Sequence, residues 1–379
     1  MNRQQVKQGF INLARYIALL VIIYIIFSFL FVMITIYDDL KISPSLWQFN
    51  ARAKNQYVIA IVAPTRFGEK QQAMMVKDAA ENMGHLVYTY SLNDKDMELF
   101  LPAKYMNELV LYVLDYLFKP DIHLAMSFHV NLDLPDPKAM YISVPPQYYI
   151  DRVKDNYPVV QDYTNFIDIN GGPDWLTPIL NKKINRFYGI VGIPSNKYKY
   201  SSKKKLLFFG SLWGRKTSAL YGAIKELAKQ DYMFFIRHNY VLLGLNDVQQ
   251  FSDPADGLVE LQERLNQYGI GLCIHSEYHV QAWIPSSRIF EIISSGAIAI
   301  SDKNPFVMRY FGDNVLYFDQ NLSAEEIYQQ INQHVRWIQQ HPEQAEKMTH
   351  QAHKILQKQF TTEKFVQDLL LIIQNNRVK

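Results

Sequence analysis

The sequence contains a single cysteine, Cys273, among its 379 residues, so no disulfide can form within the chain. A chain of this kind fits a reducing compartment. Neither sign of charge dominates, because 39 lysines and arginines stand against 36 aspartates and glutamates, a formal net charge of +3. Proteins that follow nucleic-acid phosphates usually concentrate more positive charge than this, so we expect no nucleic-acid partner.

Two common nucleotide-binding motifs are also missing. The sequence has neither a G-x-G-x-x-G stretch nor a P-loop, so we expect neither a standard dinucleotide site nor a standard ATP site. It shows no short internal repeat and no low-complexity segment. We therefore expect an ordinary globular chain, long enough for about two domains.

One long hydrophobic run is present, at residues 16–37. It holds 22 residues without a charge, and as a helix it would extend about 33 Å, enough to cross a hydrocarbon core of roughly 30 Å. A cleaved signal peptide is the alternative, but the run is too long and no small-residue cleavage site follows it. We predict a single N-terminal transmembrane helix within an anchor at 1–37, followed by a polar linker at 38–55.

Strands and helices alternate through the rest of the chain. A buried apolar run at 57–64 precedes a helical pattern at about 70–83 and a second strand at 85–91, which is the β-α-β pattern of a parallel sheet. The alternation resumes after a lysine-rich segment. We predict an α/β fold of two Rossmann-like domains with these bounds: a first domain at 56–190, a linker at 191–205, a second domain at 206–345 and C-terminal helices at 346–379.

The stretch PSSRIFEIISSGAIAISD, at residues 285–302, contains the first candidate site. Its proline and serines are typical of a helix start, and Gly296 is typical of a helix end, so we predict a helix at about 287–295. This helix begins near the carboxyl end of the strand predicted at 270–276. Open α/β sheets bind their ligands at that edge.

Three side chains in the first turns of this helix suit a nucleotide. The helix N-terminus, Ser287 and Arg288 can bind phosphate oxygens. Glu291, one turn later, can accept hydrogen bonds from both hydroxyls of a ribose. The alternative is that Arg288 and Glu291 form an exposed ion pair worth roughly a few tenths of a kcal/mol.

A second candidate segment is FFGSLWGRK, at residues 208–216. It is a predicted strand that runs into a loop with two glycines, the first of them Gly210, and then into Arg215 and Lys216. Glycines allow close approach of the backbone to a ligand, and the two cations can neutralise a pyrophosphate. The alternative is a surface turn with a solvated basic pair.

These two segments and YFGDNVLYFDQNLSAEEIYQQI, at residues 310–331, carry a family resemblance. The sequence resembles the group 1 glycosyltransferases of the GT-B fold, and most closely the spore-maturation-protein-like glycosyltransferase domains. The resemblance covers about 205–345, whereas the first domain matches only in its alternation of strands and helices.

The resemblance implies two domains that face a cleft, with a nucleotide-diphosphate sugar bound between them as the donor substrate. Glu291 would hold the donor ribose. Lys216, with Arg215 and Arg288, would hold the diphosphate. The C-terminal helices would pack back on the first domain, and neither a cofactor nor a metal would be needed.

The sequence departs from the best-known group 1 pattern at two positions. That pattern has a second glutamate eight residues before the one that binds ribose, and here Trp283 stands there. The diphosphate arginine usually follows the glycine directly, and here Ser211 does. Glu277, in the same loop as Trp283, could supply the missing carboxylate and is a candidate catalytic residue.

Two metal-type patterns are weaker. His275, Glu277 and His279 alternate along the chain, and in an extended segment they could bind zinc together. The triplet Asp-Lys-Asp at 94–96 is a D-x-D sequence, which metal-dependent glycosyltransferases of another fold use. Such triplets are common by chance, and two Rossmann-like domains contradict that fold.

In the first domain, His129 lies at the end of a predicted strand that would face the cleft. An imidazole there could act as a base on an acceptor hydroxyl. A strand-end histidine that is simply part of the surface is the alternative.

We therefore expect a membrane-anchored glycosyltransferase that transfers a sugar to a glycan or a lipid-linked acceptor and contacts membrane lipid. A catalytically inactive, membrane-tethered nucleotide-sugar-binding protein and a nucleotide-sugar epimerase of the same fold are the alternatives. Three basic residues lie on each side of the hydrophobic run, so charge does not set its orientation. A bacterial enzyme would face the cytoplasm, where nucleotide sugars are found, and a Golgi enzyme would face the lumen.

Overall fold

The computed structural model of the protein describes most of the chain beyond the predicted anchor. The described residues are 40–42, 53, 56–64, 67–92, 101–127, 130, 134–142, 158–169, 174–190, 199–201, 205–210, 218–229, 233–236 and 257–377. Within these ranges no helix combines the length and the apolar character needed to span a membrane. The run at 16–37 lies outside the described residues, so the predicted anchor stays a prediction.

The first domain is built on a seven-stranded sheet with the order β1-β3-β2-β4-β5-β6-β7. All neighbours are parallel except β1, which pairs antiparallel with β3. Its elements are β1 (Leu40–Ile42), β2 (Val58–Pro64), α1 (Phe67–Asn82), β3 (Leu86–Leu92), α2 (Leu101–Phe118), β4 (Ile122–Ala125), β5 (Lys138–Ile142), a 3-10 helix (Pro158–Asp162), β6 (Asn165–Asp168), α3 (Leu176–Leu180) and β7 (Asn185–Tyr188).

The second domain is built on a five-stranded parallel sheet with the order β12-β11-β10-β8-β9. Its elements are β8 (Lys205–Gly210), α4 (Ser218–Ala228), β9 (Met233–Ile236), α5 (Gly257–Tyr268), β10 (Gly269–Cys273), α6 (Glu277–Gln281), α7 (Ser287–Ser295), β11 (Ile298–Asp302), α8 (Pro305–Phe311), a 3-10 helix (Gly312–Asn314), β12 (Leu316–Phe318) and α9 (Ala324–Gln340). Two long helices end the chain, α10 (Pro342–Gln359) and α11 (Thr362–Arg377).

Helices cover both faces of each sheet. In the second domain α5, α7 and α10 pack on one face and α4 and α9 on the other. In the first domain α1 lies on one face and α2 on the other. The chain then returns, because α11 packs beside α1 on the first sheet, with the rings of Phe365 and Tyr141 edge to face at 5.3 Å.

Two glycines let α7 lie close to its neighbours. A Cβ at Gly271 of β10 would overlap the side chain of Ile292, so the absence of a side chain there lets the helix pack directly on the strand. Gly296 ends α7 in the left-handed conformation, with φ +82°, and a Cβ there would also overlap the backbone carbonyl of Lys199. Both positions therefore require glycine for the helix to lie where it does.

The prediction of α/β structure with parallel sheets is confirmed, and the two sheets are covered by helices as expected for a Rossmann-like alternation. Some elements differ. The strand predicted at 121–130 is only Ile122–Ala125, because the chain turns at Met126 and Ser127. The strands β1 and β7 and the short helices α3, α6 and α8 were not predicted, since elements of three to seven residues carry little periodicity.

Candidate active site

The candidate site lies where β10 ends and α7 begins. From Cys273 the chain passes through the short helix α6, turns at Ala282 and Trp283, and enters α7 at Ser286. The inward face of α7 is fixed by Phe290, whose ring lies 6.2 Å from that of Phe306 and 5.4 Å from that of Phe360. The outward face of the first turn therefore has a defined position at the carboxyl edge of the sheet.

Ser286 is the N-cap residue of α7, but its hydroxyl does not cap the helix. Serine hydroxyls at a helix start usually accept hydrogen bonds from the free N–H groups of the first turn. Instead the Ser286 hydroxyl accepts a hydrogen bond from Arg288, at 3.0 Å. The Ile289 N–H donates to the carbonyl oxygen of Ser286 at 3.1 Å, and N–H groups of a first turn that have no side-chain cap can bind an anionic ligand.

Arg288 connects α7 to the end of β8. Its Nε atom donates to the carbonyl oxygen of Phe209 at 2.8 Å, and its guanidinium carbon lies 5.9 Å from the centre of the Phe209 ring. Phe209 directly precedes Gly210, the last residue of β8, where the second predicted donor segment leaves the sheet. The half-buried guanidinium is thus held beside the start of that loop, and the N–H groups not used in these bonds can bind phosphate oxygens.

Glu291 is half-buried one turn after Arg288. Burial raises the pKa of its carboxyl group, while the charge of Arg288 and a hydrogen bond from the Ser287 hydroxyl act in the opposite direction. Arg288 itself is engaged with Phe209 and Ser286. The predicted exposed ion pair is therefore not the arrangement seen. The carboxyl group of Glu291 is a partly desolvated acceptor beside a cation, which suits recognition of ligand hydroxyls.

A buried charged pair lies next to this site, at the ends of β10 and β11. His275, just after β10, contacts Asp302 at the end of β11, with 2.6 Å between Nδ1 and Oδ1, and both side chains are completely buried. The other oxygen of Asp302 accepts the backbone N–H of His275 at 2.6 Å. Burial by itself lowers the pKa of His275, but the charge of Asp302 and the nearby Cys273 raise it to about 10. His275 is therefore an imidazolium at neutral pH, and the pair joins two strand ends.

Asn304 holds the loop between α6 and α7 in place. Its side-chain oxygen accepts the N–H groups of Phe306 and Val307 and so caps α8, at 2.9 and 3.3 Å. Its side-chain nitrogen donates to the carbonyl oxygen of Ile284, at 2.9 Å. Asn304 is fully buried, so this one side chain fixes the segment that leads into α7.

Trp283 is exposed at the turn before α7. Its backbone is left-handed, with φ 58°, and 44% of the residue is accessible to solvent. A bulky residue rarely adopts this backbone conformation. Tyr278, in the helix α6 just before this turn, is also exposed, at 42%. The position at which the resemblance leads one to expect a glutamate thus carries an exposed aromatic side chain.

The other predicted site residues divide into two groups. Glu277 is exposed in the first turn of α6, where its carboxylate accepts a hydrogen bond from Gln281 at 3.0 Å. Arg215, Lys216, His129 and the triplet at 94–96 lie outside the described residues, so the roles predicted for them stay predictions.

The zinc alternative at His275, Glu277 and His279 is wrong for a physical reason. Residues 277–281 form a helix rather than an extended segment, so the three side chains do not share one side. His275 points inward to Asp302, whereas the Nδ1 atom of His279 lies 2.5 Å from the Ser276 hydroxyl. Across the residues that the structure describes, no group of three such side chains is placed to hold a metal ion.

Sequence reasoning missed Asp302 and Asn304. Asp302 ends β11 and Asn304 follows it, and the contacts that each makes with the segment before α7 join residues at least 20 positions apart in the chain. A pattern within one helix or strand cannot report such contacts. The one available signal was the sequence SDKNP at 301–305, in which Asn304 precedes a proline as a typical helix cap.

Comparisons with known proteins show which family and which folds the chain is similar to. Residues 202–371 match the family model described as "Glycosyl transferase-like", so the second domain together with the C-terminal helices is similar to that family. The narrower resemblance to the spore-maturation-like branch stays a prediction. A comparison of the sequence with curated proteins gave no significant match.

Solved structures with the same fold extend the comparison to the first domain. A glycosyltransferase from Rickettsia africae ESF-5 is 13% identical, with a TM-score of 0.53, over 85% of this chain and 98% of that one. Sucrose-phosphate synthase from Thermosynechococcus elongatus is 10% identical, with a TM-score of 0.57, over 85% and 100%. An Anabaena protein solved in complex with UDP and glucose is 12% identical, with a TM-score of 0.55, over 84% and 99%. The chain shares the overall fold of these proteins.

Proposed function

We propose that the protein is a glycosyltransferase that takes its sugar from a nucleotide-diphosphate donor bound at the start of α7. The observation that carries this proposal is the position of Arg288, which joins the N-terminus of α7 to the end of β8. The two predicted donor segments thereby meet at one edge of the sheet. The match of residues 202–371 to a glycosyl transferase-like family supports the same activity.

In this proposal the donor is bound by charge and hydrogen bonds. Arg288 and the first N–H groups of α7 hold the diphosphate, and Arg215 and Lys216 add positive charge from the loop after Gly210. Glu291 accepts hydrogen bonds from the ribose hydroxyls. As the bond between sugar and diphosphate breaks, negative charge grows on the departing nucleotide diphosphate. The same fixed donors stabilise it, without a cofactor or a metal ion.

The acceptor would bind on the side of the first domain. A base at His129, or a carboxylate at Glu277, would take the proton from the acceptor hydroxyl. With the hydrophobic run at 16–37 embedded in a bilayer, the acceptor is a glycan or a lipid-linked sugar near the membrane. The site would face the cytoplasm in a bacterium.

Calorimetry on the full chain in detergent tests the donor site, with UDP, GDP, ADP and dTDP as probes. We expect one of them to bind with a stoichiometry of one and the corresponding sugar nucleotide to be consumed. Binding of none of the four would overturn the proposal. Analysis of the products formed from that sugar nucleotide then identifies the reaction, because transfer, hydrolysis and epimerisation of the sugar give different products.

The exposed side chain of Trp283 favours one alternative. Because an indole stands where the resemblance leads one to expect a carboxylate, a tethered protein that binds nucleotide sugars without turnover is the second candidate. Tight binding of a sugar nucleotide that remains intact over hours, with every acceptor tried, would favour this alternative over the enzyme.

A further inference from the structure

An apolar stripe lies on the outward side of α2. Tyr112, Val113, Tyr116 and Leu117 are exposed to 69%, 45%, 72% and 40%. Positions i, i+1, i+4 and i+5 of a helix lie side by side, so the four side chains form one continuous surface. The outward face of a helix that covers a sheet is normally polar.

The opposite side of α2 already packs on the first sheet. Leu114 and Phe118 are buried against β2 and β3. Asp115, between the two faces, accepts a hydrogen bond from the hydroxyl group of Tyr88 at 2.6 Å and contacts Nε2 of His123 at 2.9 Å. These contacts fix the rotation of α2, so the apolar stripe cannot turn inward.

The stripe lies near the point where the chain enters the first domain. The edge strand β1 pairs with β3, placing Ile42 opposite Tyr88. The ring of Tyr88 lies 5.7 Å from that of Phe118 on α2. The hydrophobic run ends at residue 37, three residues before Leu40, and three residues can span at most about 10 Å. Covalent geometry therefore keeps the end of the run close to the strand pair on which α2 packs.

We propose that the α2 stripe docks on the surface of a lipid bilayer. The proposal rests on the membrane association proposed above and goes beyond it, because it adds a second contact that fixes how the first domain lies on the membrane. Tyrosine is enriched at membrane interfaces because its ring is apolar and its hydroxyl stays in the headgroup layer. Two tyrosines flanked by valine and leucine on one helix face match that chemistry.

Fluorescence of a labelled cysteine tests this contact in the full chain. Cys273 is buried and is the only cysteine of the sequence, so the wild-type protein gives the background labelling. Tyr116→Cys places an environment-sensitive dye on the stripe, and Gln329→Cys places it on the exposed face of α9 in the second domain. Both positions are exposed in helices, so we expect both variants to melt like the wild type.

The labelled proteins are reconstituted in phosphatidylcholine–phosphatidylglycerol vesicles, and flotation confirms that they associate. We expect the dye at position 116 to shift its emission to shorter wavelength and to lose intensity with nitroxide-labelled lipids. The dye at position 329 should stay accessible to aqueous iodide. Equal quenching of both dyes by iodide would overturn the proposal.

Two further outcomes would also overturn it. A chain that does not float with the vesicles has no membrane association, whatever its donor binding shows. A dye at position 116 that is shielded from both quenchers, together with disulfide cross-linking between two Tyr116→Cys chains, would assign the stripe to a second copy of the protein. Donor binding is measured separately by calorimetry. A failure of the bilayer-docking proposal can therefore be distinguished from a failure of the proposed glycosyltransferase function.

Discussion

The Nδ1 atom of His275 lies 2.6 Å from Oδ1 of Asp302, and neither side chain has accessible surface. Water cannot replace either partner at such a position. A buried ion pair that loses one partner leaves an uncompensated charge, which is far more costly than the loss of a surface pair. The positions of the ends of β10 and β11, which lie next to the candidate donor site, therefore depend on this contact.

Asp302→Asn should reduce the free energy of unfolding by about 3–5 kcal/mol, because it leaves His275 buried without its counter-charge. Denaturant titration of the full chain in detergent measures the change. Asp319→Asn is the matched control, since Asp319 pairs at the surface with Lys303 at 3.0 Å and a surface pair contributes about 0–1 kcal/mol. Equal effects of the two substitutions would contradict a structural role for the buried pair.

The same pair predicts a dependence of stability on pH. The pKa of His275 rises from 6.5 to about 10 in the folded chain: burial lowers it, but the charge and hydrogen bond of Asp302, together with the nearby Cys273, outweigh burial. The folded state therefore keeps its proton better than the unfolded state. The stabilisation is complete below pH 6.5 and is lost as the pH rises toward about 10. Unfolding free energies measured across this range should fall in the wild type, and Asp302→Asn should lack this component of the slope.

Arg288→Lys should weaken donor binding roughly tenfold, equal to about 1.4 kcal/mol. Lysine keeps the positive charge but cannot bond to Phe209 and Ser286 while also offering a planar fork to phosphate. Calorimetry with the nucleotide diphosphate found to bind measures the loss. Arg309→Lys makes the same change at an exposed position on α8 and should leave affinity unaltered. An unchanged affinity for Arg288→Lys would remove Arg288 from the diphosphate site.

Glu291→Gln separates binding from stability. Because burial raises the pKa of Glu291, the folded state holds the proton more tightly than the unfolded state, and the stability that this group contributes at low pH is lost as the pH rises. Glutamine removes the charge, so the variant should be as stable as the wild type or more stable at neutral pH. Donor affinity should fall about fivefold, because hydrogen bonds to a charged group are stronger by roughly 1 kcal/mol.

Glu346→Gln, on the exposed face of α10, is the control for this substitution and should change neither quantity. A loss of stability in Glu291→Gln as large as the loss of affinity would show that Glu291 supports the fold rather than the ligand.

Gly296→Ala should destabilise the protein by more than about 2 kcal/mol, since alanine meets both a left-handed backbone and the carbonyl of Lys199. Gly84→Ala is the matched control, because Gly84 has φ +85° and open space around its Cβ position. It should lose only the conformational part, about 1 kcal/mol. Thermal melting of both variants measures the difference, and equal losses would show that the contact with Lys199 has no energetic effect.

Much of the fold was predictable from local patterns. The bounds of α7, at 287–295, follow from its apolar periodicity and from Gly296, and these signals lie within the helix and directly after it. The short edge strand β1 was not predictable, because three residues show no alternation and their strand character comes from pairing with β3.

The candidate site was predictable only in part, for the same reason. Arg288 and Glu291 could be proposed from their spacing in one helix. The carbonyl of Phe209 that orients Arg288 lies 79 residues away in the chain. Because every residue has a backbone carbonyl, the sequence does not indicate which of them Arg288 contacts. Nothing in the sequence distinguishes Asp302 from the other aspartates, because its contact with His275 arises only from the parallel pairing of β10 with β11.

The helix α11 has a consequence for the order in which the protein forms. Phe365, Val366 and Leu369 complete the hydrophobic core of the first domain, although they lie at the far end of the chain. During translation, β2 to β7 emerge before the whole second domain, and the surface that α11 covers stays open to solvent until residues 362–377 have followed. The first domain is therefore synthesised before the second domain but is completed after it. A ribosome-bound intermediate that lacks residues 362–377 exposes the apolar face of the first sheet on which α11 packs.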